Sequence, residues 1–458
     1  MRKLAVAFIP LFLLSAMIAC DDESSSGPPF DVGDIDANIP PANPIDGSAP
    51  DASPDADPPT PAVSVTVHSL TGPRAGVRIV WNDAQGNVID SKLTGADGTA
   101  THEGTDAVMV SALLPRVESR HIVTWTNVEV GENLQLLDPG DPAELGTYTV
   151  TLPNTEPDAF QYFVHSSCGE QQTYGTAAVI YNDTTCARPT NSVLVTAFKN
   201  NDGTPTYYRS FKKANPTPPE GNANITSGPW AVAAPVSLNL QNFPDDVGRD
   251  LDVLEISDNH GFRAEYWEGH ETPNTFVTAP GFADALQGAA YTYNLDAMNR
   301  QRVIARRAAP ATATLSLDYD QLLPEITDAS IDTTNPVRPV LSWEGTTTET
   351  DGGLVRVWFS NETFFSNYWS VIVRPGSSTV TIPALPAEAS EFMPYEESTF
   401  GSPAVIFVES DQLPGYKELR TQQGLIFGAV EENAFGFRLP ALPANGLYRA
   451  TTWAELPR

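Results

Sequence analysis

Residues 63–100 read VSVTVHSLTGPRAGVRIVWNDAQGNVIDSKLTGADGTA, and this stretch decides the fold class. Apolar and polar side chains alternate strictly over residues 63–67, which is the period of a half-buried β-strand. A second predicted strand at 78–81 is followed by Asp-Ala-Gln-Gly at 83–86, which favours a hairpin turn. Residues 94–98 predict another turn. Short strands that reverse at such turns indicate an antiparallel β-sandwich rather than α/β units.

The two turns each contain a glycine, Gly86 after a glutamine and Gly98 after an aspartate. Glycine adopts positive φ without a steric cost, so we expect both residues in the left-handed region. The pattern resembles a carboxypeptidase regulatory-like or bacterial Ig-like domain, a small prealbumin-type β-sandwich that would extend to about Leu152. This resemblance implies a structural accessory domain and no peptidase activity.

The same two-residue period recurs in the rest of the chain, at 147–152, 236–240 and 378–382. Clusters of Gly, Pro, Asn and Asp separate these runs, and only 280–286 and 318–323 favour short helices. We therefore predict an all-β chain made of several β-sandwich domains.

Leu-Pro pairs follow several predicted strands and favour domain ends near 152, 245 and 323, because proline cannot donate to a ladder of strand hydrogen bonds. The last part of the chain, with Trp343 on an early strand and aromatic residues on later ones, resembles a fibronectin type III-like sandwich. The predicted order is a signal peptide at 1–20, a tether at 21–62, the Ig-like or prealbumin-like sandwich at 63–152, a β domain with a disulfide at 153–245, a β domain at 246–323 and the fibronectin III-like region at 324–458.

The N-terminus, MRKLAVAFIPLFLLSAMIAC, combines two basic residues with a short apolar run that ends at Cys20. This arrangement is typical of a secretory signal peptide. Ala19 and Cys20 resemble the lipobox of bacterial lipoproteins, although Met17 stands where leucine is usual. The resemblance implies cleavage before Cys20 and a diacylglycerol on its sulfur, so that acyl chains anchor the protein in a membrane. The alternative is a soluble secreted protein that is cleaved elsewhere.

Residues 21–62 hold ten prolines and ten acidic residues but no lysine or arginine. Such a composition cannot build a core, and we expect an extended, disordered tether. The segment resembles the Asp/Pro/Ala-rich linkers of envelope lipoproteins in myxobacteria-like bacteria, which implies a cell-envelope location, with the outer membrane expected. The whole chain has 26 basic and 57 acidic residues and a net charge of −31, which disfavours nucleic acid as a partner.

Cys168 and Cys186 remain once Cys20 is assigned to lipid. In an oxidising envelope this pair most simply forms a disulfide, which would contribute about 3 kcal/mol in the chain-entropy model. The alternative is a metal or nucleophile site that includes His165 and Cys168, which have ligand-like spacing. A structural zinc needs four ligands, however, and no second compact pair lies nearby in the sequence.

Motifs of the common enzyme classes are absent, since the sequence has no HExxH, no GxSxG and no GxxxxGK[ST]. Ser210 and Lys213 form an SxxK pattern without its partner motifs. The densest group of metal-ligand residue types spans 258–271, where His260 and His270 would meet only across a hairpin. We interpret that segment as an exposed polar hairpin, and we predict no metal site, no cofactor and no catalytic residue.

Aromatic residues are concentrated at 359–369. Phe364 and Phe365 are adjacent, so an extended strand would point them to opposite faces and leave one of them exposed. We therefore take Phe364, Phe365, Tyr368 and Trp369 as candidate binding residues that stack a sugar or anchor a protein. Burial in the core is the alternative, since aromatic side chains dominate core packing.

These features predict a lipid-anchored envelope protein with a structural or binding role toward a protein or a polysaccharide. The first alternative is a hydrolase whose two carboxylates are dispersed along the chain, because such a pair needs no local motif. Convergent carboxylates with shifted pKa values would favour the hydrolase, and an aromatic patch would favour binding. A further alternative is an accessory subunit with no ligand of its own, which would present a large apolar face.

Overall fold

The computed structural model describes residues 61–69, 72–117, 119–138, 140–141, 143–154, 159–183, 190–198, 205–216, 223–244, 247–257, 260–268, 275–293, 299–309, 314–362, 365–413, 415–421 and 445–453. The chain divides into two units, 1–58 and 59–458, and every described residue belongs to the second. The predicted signal peptide, Cys20 and nearly all of the tether lie outside the described residues. Within that described part, no helix is long and apolar enough to cross a bilayer.

The described chain is almost entirely β, as the sequence predicts. Its strands in chain order are β1 Ala62–Ser69, β2 Gly72–Pro73, β3 Arg78–Asn82, β4 Val88–Leu93, β5 Thr99–Glu103, β6 Met109–Pro115, β7 Ser119–Trp125, β8 Asn133–Leu137, β9 Glu144–Thr151, β10 Gln161–Ser166, β11 Gly169–Thr173, β12 Ala177–Asp183, β13 Thr190–Phe198, β14 Pro205–Pro216, β15 Ala223–Thr226, β16 Ala231–Val232, β17 Ala234–Gln241, β18 Gly248–Ser257, β19 His260–Glu268, β20 Thr275–Thr278, β21 Ala285–Tyr293, β22 Asn299–Ala308, β23 Leu315–Asp318, β24 Ile326–Asp332, β25 Val340–Gly345, β26 Gly352–Glu362, β27 Phe365–Val373, β28 Thr379–Thr381, β29 Thr399–Phe400, β30 Ala404–Ser410 and β31 Gly446–Trp453. The helices among the described residues are short: 3₁₀ helices at Tyr319–Gln321 and Ala387–Phe392, and an α-helix at 416–421.

One large sheet organises the described residues, with the strand order β19-β18-β21-β22-β31-β30-β26-β27-β7-β6-β3-β4 and with β29 paired to β26. The strands β7 and β27 join the four strands from β7 to β4 to the rest of the sheet by parallel pairing of residues 119–125 with residues 366–372. Strands from the predicted segments 63–152, 246–323 and 324–458 therefore share one hydrogen-bonded sheet, which continues across the predicted boundaries.

Three smaller sheets pack on the large one: β2-β1-β5 with β8, then β20-β17-β23, then β24-β25-β28. The sheets β11-β10-β13-β14-β16 and β12-β9-β15 form a sandwich around a core of their own. That core includes Tyr148, Val150, Tyr162, Val164 and Val195. Paired layers of this kind are the β-sandwich architecture that the turn-rich sequence predicts.

The alternation in the first strand matches the burial of its valines, and Thr66 between them is buried as well. Val63, Val65 and Val67 are fully buried, whereas Ser64 and His68 are partly exposed. Burying a valine side chain stabilises a protein by roughly 1.5–3 kcal/mol. A slip of one residue would move all three valines to the other face, so the apolar set fixes the register of β1 against β5 and β8.

The two turn glycines adopt the predicted conformation. Gly86 has a φ of 75° and Gly98 a φ of 74°. A Cβ atom on residue 98 would also lie 2.5 Å from the carbonyl oxygen of Val67, so space as well as backbone conformation requires glycine there.

One of the two predicted short helices is confirmed and the other is wrong. The segment 318–323 contains the 3₁₀ helix Tyr319–Gln321. The helix predicted at 280–286 is wrong, because residues 280–282 form a turn and β21 already begins at Ala285. The apolar residues of that segment serve a turn and a buried strand instead of one helical face.

Candidate functional site: an arginine-containing cleft

A cleft of about 700 Å³ lies where one end of the large sheet faces the sheet β24-β25-β28. The large sheet and its turns contribute Ala84, Gln85, Met109, Thr126, Asn127, Val373 and Arg374, and the small sheet and its loops contribute Asn335, Arg338, Val340, Ser377, Thr379, Val380 and Thr381. These residues come from two distant parts of the sequence, 63–152 and 324–458. The cleft therefore depends on the pairing of β7 with β27.

Two guanidinium groups belong to the lining of the cleft. Arg338 is partly buried, and it donates from Nε to the carbonyl oxygen of Ile382 at 3.3 Å and from Nη2 to that of Gln85 at 2.6 Å. Arg374 directly follows β27 and is exposed, and no described residue pairs with its guanidinium. Arg338 thus holds two walls of the cleft together, whereas Arg374 retains donors for a ligand.

The turn between β3 and β4 closes the cleft by packing on the segment that follows β28. The side-chain amide of Asn82 donates to the carbonyl oxygen of Ala384 at 2.8 Å. The backbone amide of Ala384 donates to the carbonyl oxygen of Gly86 at 2.9 Å. A Cβ atom on residue 86 would lie 2.5 Å from Nη2 of Arg338 and 3.3 Å from Cα of Pro383. The positive φ therefore favours glycine there, and a side chain at residue 86 would have to displace the guanidinium of Arg338.

None of the residues that line the cleft is acidic. The carboxylate of Asp83 lies beside it, but its own turn engages both oxygens. Its Oδ1 accepts from the backbone amides of Gln85 and Asn87, and its Oδ2 accepts from the side chain of Asn87. The hydrogen bonds from Asn87 are the main cause that lowers the pKa of Asp83. This carboxylate therefore stays ionised and committed to the turn.

The rest of the lining is largely polar. Hydroxyl groups come from Thr126, Ser377, Thr379 and Thr381, and side-chain amides come from Gln85, Asn127 and Asn335. A guanidinium can bind a carboxylate through two parallel hydrogen bonds, each worth about 1.5–3 kcal/mol when a partner is charged. The cleft is thus suited to a polar, anionic ligand, and its lining lacks the carboxylate pair that glycoside hydrolysis would use.

The aromatic residues predicted to bind a ligand are only partly described. Phe364 lies outside the described residues, and so does the side chain of Phe365. Tyr368 is partly buried, with its ring centroid 5.0 Å from that of His121. Trp369 is only 1% exposed, so it packs in the core and presents no surface to a sugar or a protein. For Trp369 the alternative interpretation, core packing, agrees with the structure.

Of the three cysteines, only Cys168 lies among the described residues. Cys168 is disulfide-bonded, while Cys186 lies outside the described residues, so the pairing of the two stays a prediction, as does the lipidation of Cys20. His165 lies with Nδ1 3.0 Å from Oε2 of Glu170. Within the described ranges, no group of three histidine, cysteine or carboxylate side chains is placed to hold a metal ion.

The polar segment 258–271 is also only partly described. The predicted hairpin is confirmed by the antiparallel pairing of β18 with β19. His260 is buried, however, and its ring lies edge-to-face on Phe262 with 4.7 Å between centroids, so the expectation of an exposed position is wrong for this histidine. The side chains of 263–268 and all of His270 lie outside the described residues.

One carboxyl group has the raised pKa that the hydrolase alternative requires. Burial, together with the nearby Glu409 and Glu418, raises the pKa of Asp351 to about 6. Its Oδ2 accepts a hydrogen bond from the backbone amide of Ser410 at 2.8 Å. Glu409 is held in an ion pair by Arg449 at 2.6 Å. Of the two carboxylates near Asp351, Glu409 is therefore already engaged, and none of the three acidic residues lines the cleft.

His121, which contacts the candidate residue Tyr368, is held in its neutral form. Burial lowers the pKa of His121 from 6.5 to about 4, and the charges of Arg116 and Arg356 act in the same direction against a weaker effect of Asp141. A folded-state pKa below the unfolded value favours the neutral imidazole. The stability that depends on neutral His121 is therefore fully present above about pH 6.5, the pKa in the unfolded chain. It is lost as the pH falls from there through about 4, the pKa in the folded protein.

We expect His121→Gln to remove this acid sensitivity, because glutamine keeps a polar group near Ser119, which lies 2.9 Å from Nε2 of His121, and does not titrate. Between pH 7 and pH 4 the wild type should lose up to about 3 kcal/mol more of its unfolding free energy than the variant. Urea denaturation at pH 7, 5.5 and 4 measures the difference. Parallel losses in both proteins would show that this histidine is not the acid-sensitive group.

Comparisons with known proteins give weak likenesses. No family model and no curated protein matches. Among solved structures, the chain is similar to the Bacillus anthracis TIE protein, with 9% identity and a TM-score of 0.16 over 56% of this chain and 46% of that one. It is also similar to the FN1–FN3 domains of chicken CNTN1, with 13% identity and a TM-score of 0.14 over 55% of this chain and 83% of that one. The chain spans less than half the length of the first of these structures, and TM-scores this low carry no argument.

Proposed function

We propose that this chain is a lipid-anchored cell-envelope protein that binds an acidic partner in the arginine-containing cleft. The observation that supports it is the exposed guanidinium of Arg374, which no described residue pairs, in a polar cleft whose lining has no carboxylate. Acidic residues outnumber basic ones by 57 to 26 in the chain. A cleft with two arginines and no acid therefore departs from the composition around it.

The proposed anchor and tether serve the same role. Cys20 would carry the lipid, and residues 21–62 would hold the folded unit away from the membrane surface, with the outer membrane as the proposed location. Fully extended, that segment would span at most about 140–150 Å. A binding unit on such a tether can meet partners well beyond the membrane surface to which it is attached.

A binding role explains the cleft better than hydrolysis does. Hydrolysis of a glycoside requires two carboxyl groups that face the same substrate. In the described part of the chain, Asp351 with its raised pKa is not among the residues that line the cleft, and its neighbour Glu409 is paired with Arg449. The groups that do converge in the cleft are guanidinium, hydroxyl and amide groups, which can donate hydrogen bonds to an anion.

Charge reversal at Arg374 tests this proposal. Full-length Arg374→Glu is expected to bind fluorescent poly-glutamate and polygalacturonate at least about tenfold more weakly than the wild type, because a charge-assisted contact becomes a repulsion. Fluorescence anisotropy on detergent-solubilised protein measures the dissociation constants.

The matched control is Arg307→Glu, which makes the same change of charge at an exposed arginine outside the cleft. We expect its affinities to stay within about twofold of the wild type, since an exposed charge outside the cleft is screened from the ligand by salt. If neither carboxylate polymer bound the wild type, or if both variants bound equally, the acidic-partner proposal would be rejected.

A further inference from the structure

One wall of the cleft is the edge of a β-sheet. The three-residue strand β28 pairs with β25 on one side, and no described strand pairs with its other side. The amide of Trp343 donates to the carbonyl oxygen of Ser378 at 3.0 Å, and the amide of Ile382 donates to that of Pro339 at 3.1 Å. These two bonds fix which residues of this antiparallel ladder face β25.

Main-chain groups in an antiparallel ladder point alternately toward and away from the neighbouring strand. Since Ser378 and Ile382 face β25, Val380 between them also faces it. Thr379 and Thr381 are the alternate residues, so their backbone N–H and C=O groups point away from β25. Both threonines line the cleft. The open edge of β28 therefore presents two donors and two acceptors to the cleft.

Arg374 stands close to this edge in the sequence and in the cleft. It is the first residue after β27, in the turn that leads into β28. Gly376 in that turn has a φ of 72°. The lining thus combines main-chain groups spaced for a β-strand with a cation whose guanidinium no described residue pairs. The main-chain groups can pair with another strand, and the guanidinium can bind an anionic group on it.

We propose that the cleft takes an extended acidic peptide segment of a partner protein, which adds to the edge of β28 as a further strand and places a carboxylate on Arg374. This inference rests on the proposed function and specifies its ligand. Strand addition draws affinity from main-chain hydrogen bonds and selectivity from side-chain contacts. The main-chain groups of Thr379 and Thr381 supply the first, and the arginine supplies the second.

The spacing of the edge favours a peptide over an acidic polysaccharide. Successive residues of a strand rise about 3.3 Å, so the outward groups of Thr379 and Thr381 repeat at about 6.6 Å. An extended peptide carries an N–H and a C=O at that same repeat. A uronic acid polymer has carboxylates for Arg374 but no backbone amides that alternately donate and accept.

The net charge of the chain opposes the approach of an acidic peptide. With a screening length of about 8 Å at physiological ionic strength, that repulsion is weak beyond the immediate surface. Electrostatic steering therefore does not accelerate association, and selection takes place at contact, through Arg374 and the strand edge.

Hydrogen exchange tests the strand addition directly. The probe is a capped eight-residue peptide of alternating Glu and Thr at millimolar concentration, with full-length protein. The outward amides of Thr379 and Thr381 should exchange freely in the protein alone and at least about tenfold more slowly with the peptide, because they become donors to the added strand. A copy of the peptide that is N-methylated at every residue should give no protection, and polygalacturonate should give none.

Thr381→Pro provides a second test from the side of the protein. Proline removes an N–H that points out of the sheet, a position where edge strands tolerate it. We expect the variant to bind the Glu-Thr peptide at least about tenfold more weakly, whereas Thr381→Val, which keeps the N–H, should bind within about twofold of the wild type. Circular dichroism confirms folding of both variants. If the proline variant fails to fold, the exchange experiment on the wild type decides alone.

The outcomes separate the two proposals. Protection of both amides together with loss of binding in Arg374→Glu supports both. Binding of the Glu-Thr peptide that depends on Arg374 but leaves Thr379 and Thr381 unprotected keeps the anion-binding cleft and overturns the added strand. If no carboxylate probe binds in a way that depends on Arg374, both proposals fail.

Discussion

Replacing Arg420 with alanine is expected to lower the free energy of unfolding by about 3–5 kcal/mol, because the change leaves a buried carboxylate without its cation. The side chains of Arg420 and Glu132 form an ion pair and are only 2% and 1% exposed. Arg420 also donates to the carbonyl oxygen of Thr126 at 3.2 Å and to that of Asn127. Its loss therefore leaves several buried acceptors unsatisfied at once.

The helix at 416–421 carries this arginine to the junction between β7 and β27. The guanidinium of Arg420 lies 4.6 Å from the ring centroid of Tyr416. The Tyr416 hydroxyl lies 3.0 Å from the carbonyl oxygens of both Thr126 and Ile372, which share its single proton as acceptors. Burial raises the pKa of Tyr416 to about 12, so the hydroxyl remains a donor at neutral pH. The helix thus fastens the two strands whose pairing creates the cleft.

Chemical denaturation of the full chain at pH 7 measures this prediction. The matched control is Arg449→Ala, since Arg449 contacts Glu409 at 2.6 Å but the two side chains are 27% and 21% exposed. There we expect a loss of about 1 kcal/mol or less. The double change of Arg420→Met and Glu132→Leu should recover part of the loss, because no buried charge is left alone. A similar small loss for both alanine variants would contradict the buried-pair interpretation.

Arg420 also holds part of the backbone that lines the cleft. Thr126 and Asn127, whose carbonyl oxygens it binds, both line the cleft. Asn127 adopts a φ of 53°, a conformation that few residues other than glycine take up. Hydrogen bonds from a buried arginine are a physical reason for that backbone to stay in place. The contacts of Arg420 therefore both stabilise the junction between β7 and β27 and help to fix the shape of the cleft.

The strands were predictable because their signal is local. Residues 378–382 alternate in polarity, and they contain β28, with Val380 in the core and Thr379 and Thr381 on the exposed side. The turn at Gly86 was predictable for the same reason, since a positive φ is a property of one residue. The helix predicted at 280–286 failed because a short apolar stretch fits a turn followed by a strand as well as it fits a helix.

The cleft could not be predicted from the sequence. It depends on the parallel pairing of residues 119–125 with 366–372, and no local pattern specifies which distant strand a given strand will join. Arg338 and Arg374 each stand next to a proline in a loop, where they look like ordinary solvated cations. A sequence signal does exist in the Arg-Pro-Gly turn at 374–376, directly before an alternating strand. That turn indicates a cleft only when it is known which sheet lies opposite it.

Replacing Trp369 with alanine is expected to lower the free energy of unfolding by about 3–5 kcal/mol, as large-to-small changes of buried aromatic residues do. The indole Nε1 of Trp369 donates to Oγ1 of Thr124 at 2.8 Å, and that oxygen lies 2.7 Å from Oγ of Ser111. The ring therefore joins β27 to β7 and β6 through packing and through a buried polar contact. Trp369→Phe keeps most of the packing and should cost about 1–2 kcal/mol, chiefly for the lost hydrogen bond.

Tyr368→Ala is the matched control at the adjacent position, because Tyr368 is only partly buried and faces the opposite side of the sheet. We expect it to cost less than Trp369→Ala, about 1–2 kcal/mol. Chemical denaturation of the three variants gives the stabilities, and anisotropy with poly-glutamate gives the binding of the Trp369→Phe variant, which should match the wild type. If Trp369→Phe retained full stability and lost binding, Trp369 would be a ligand contact after all, and the cleft would not be the binding site.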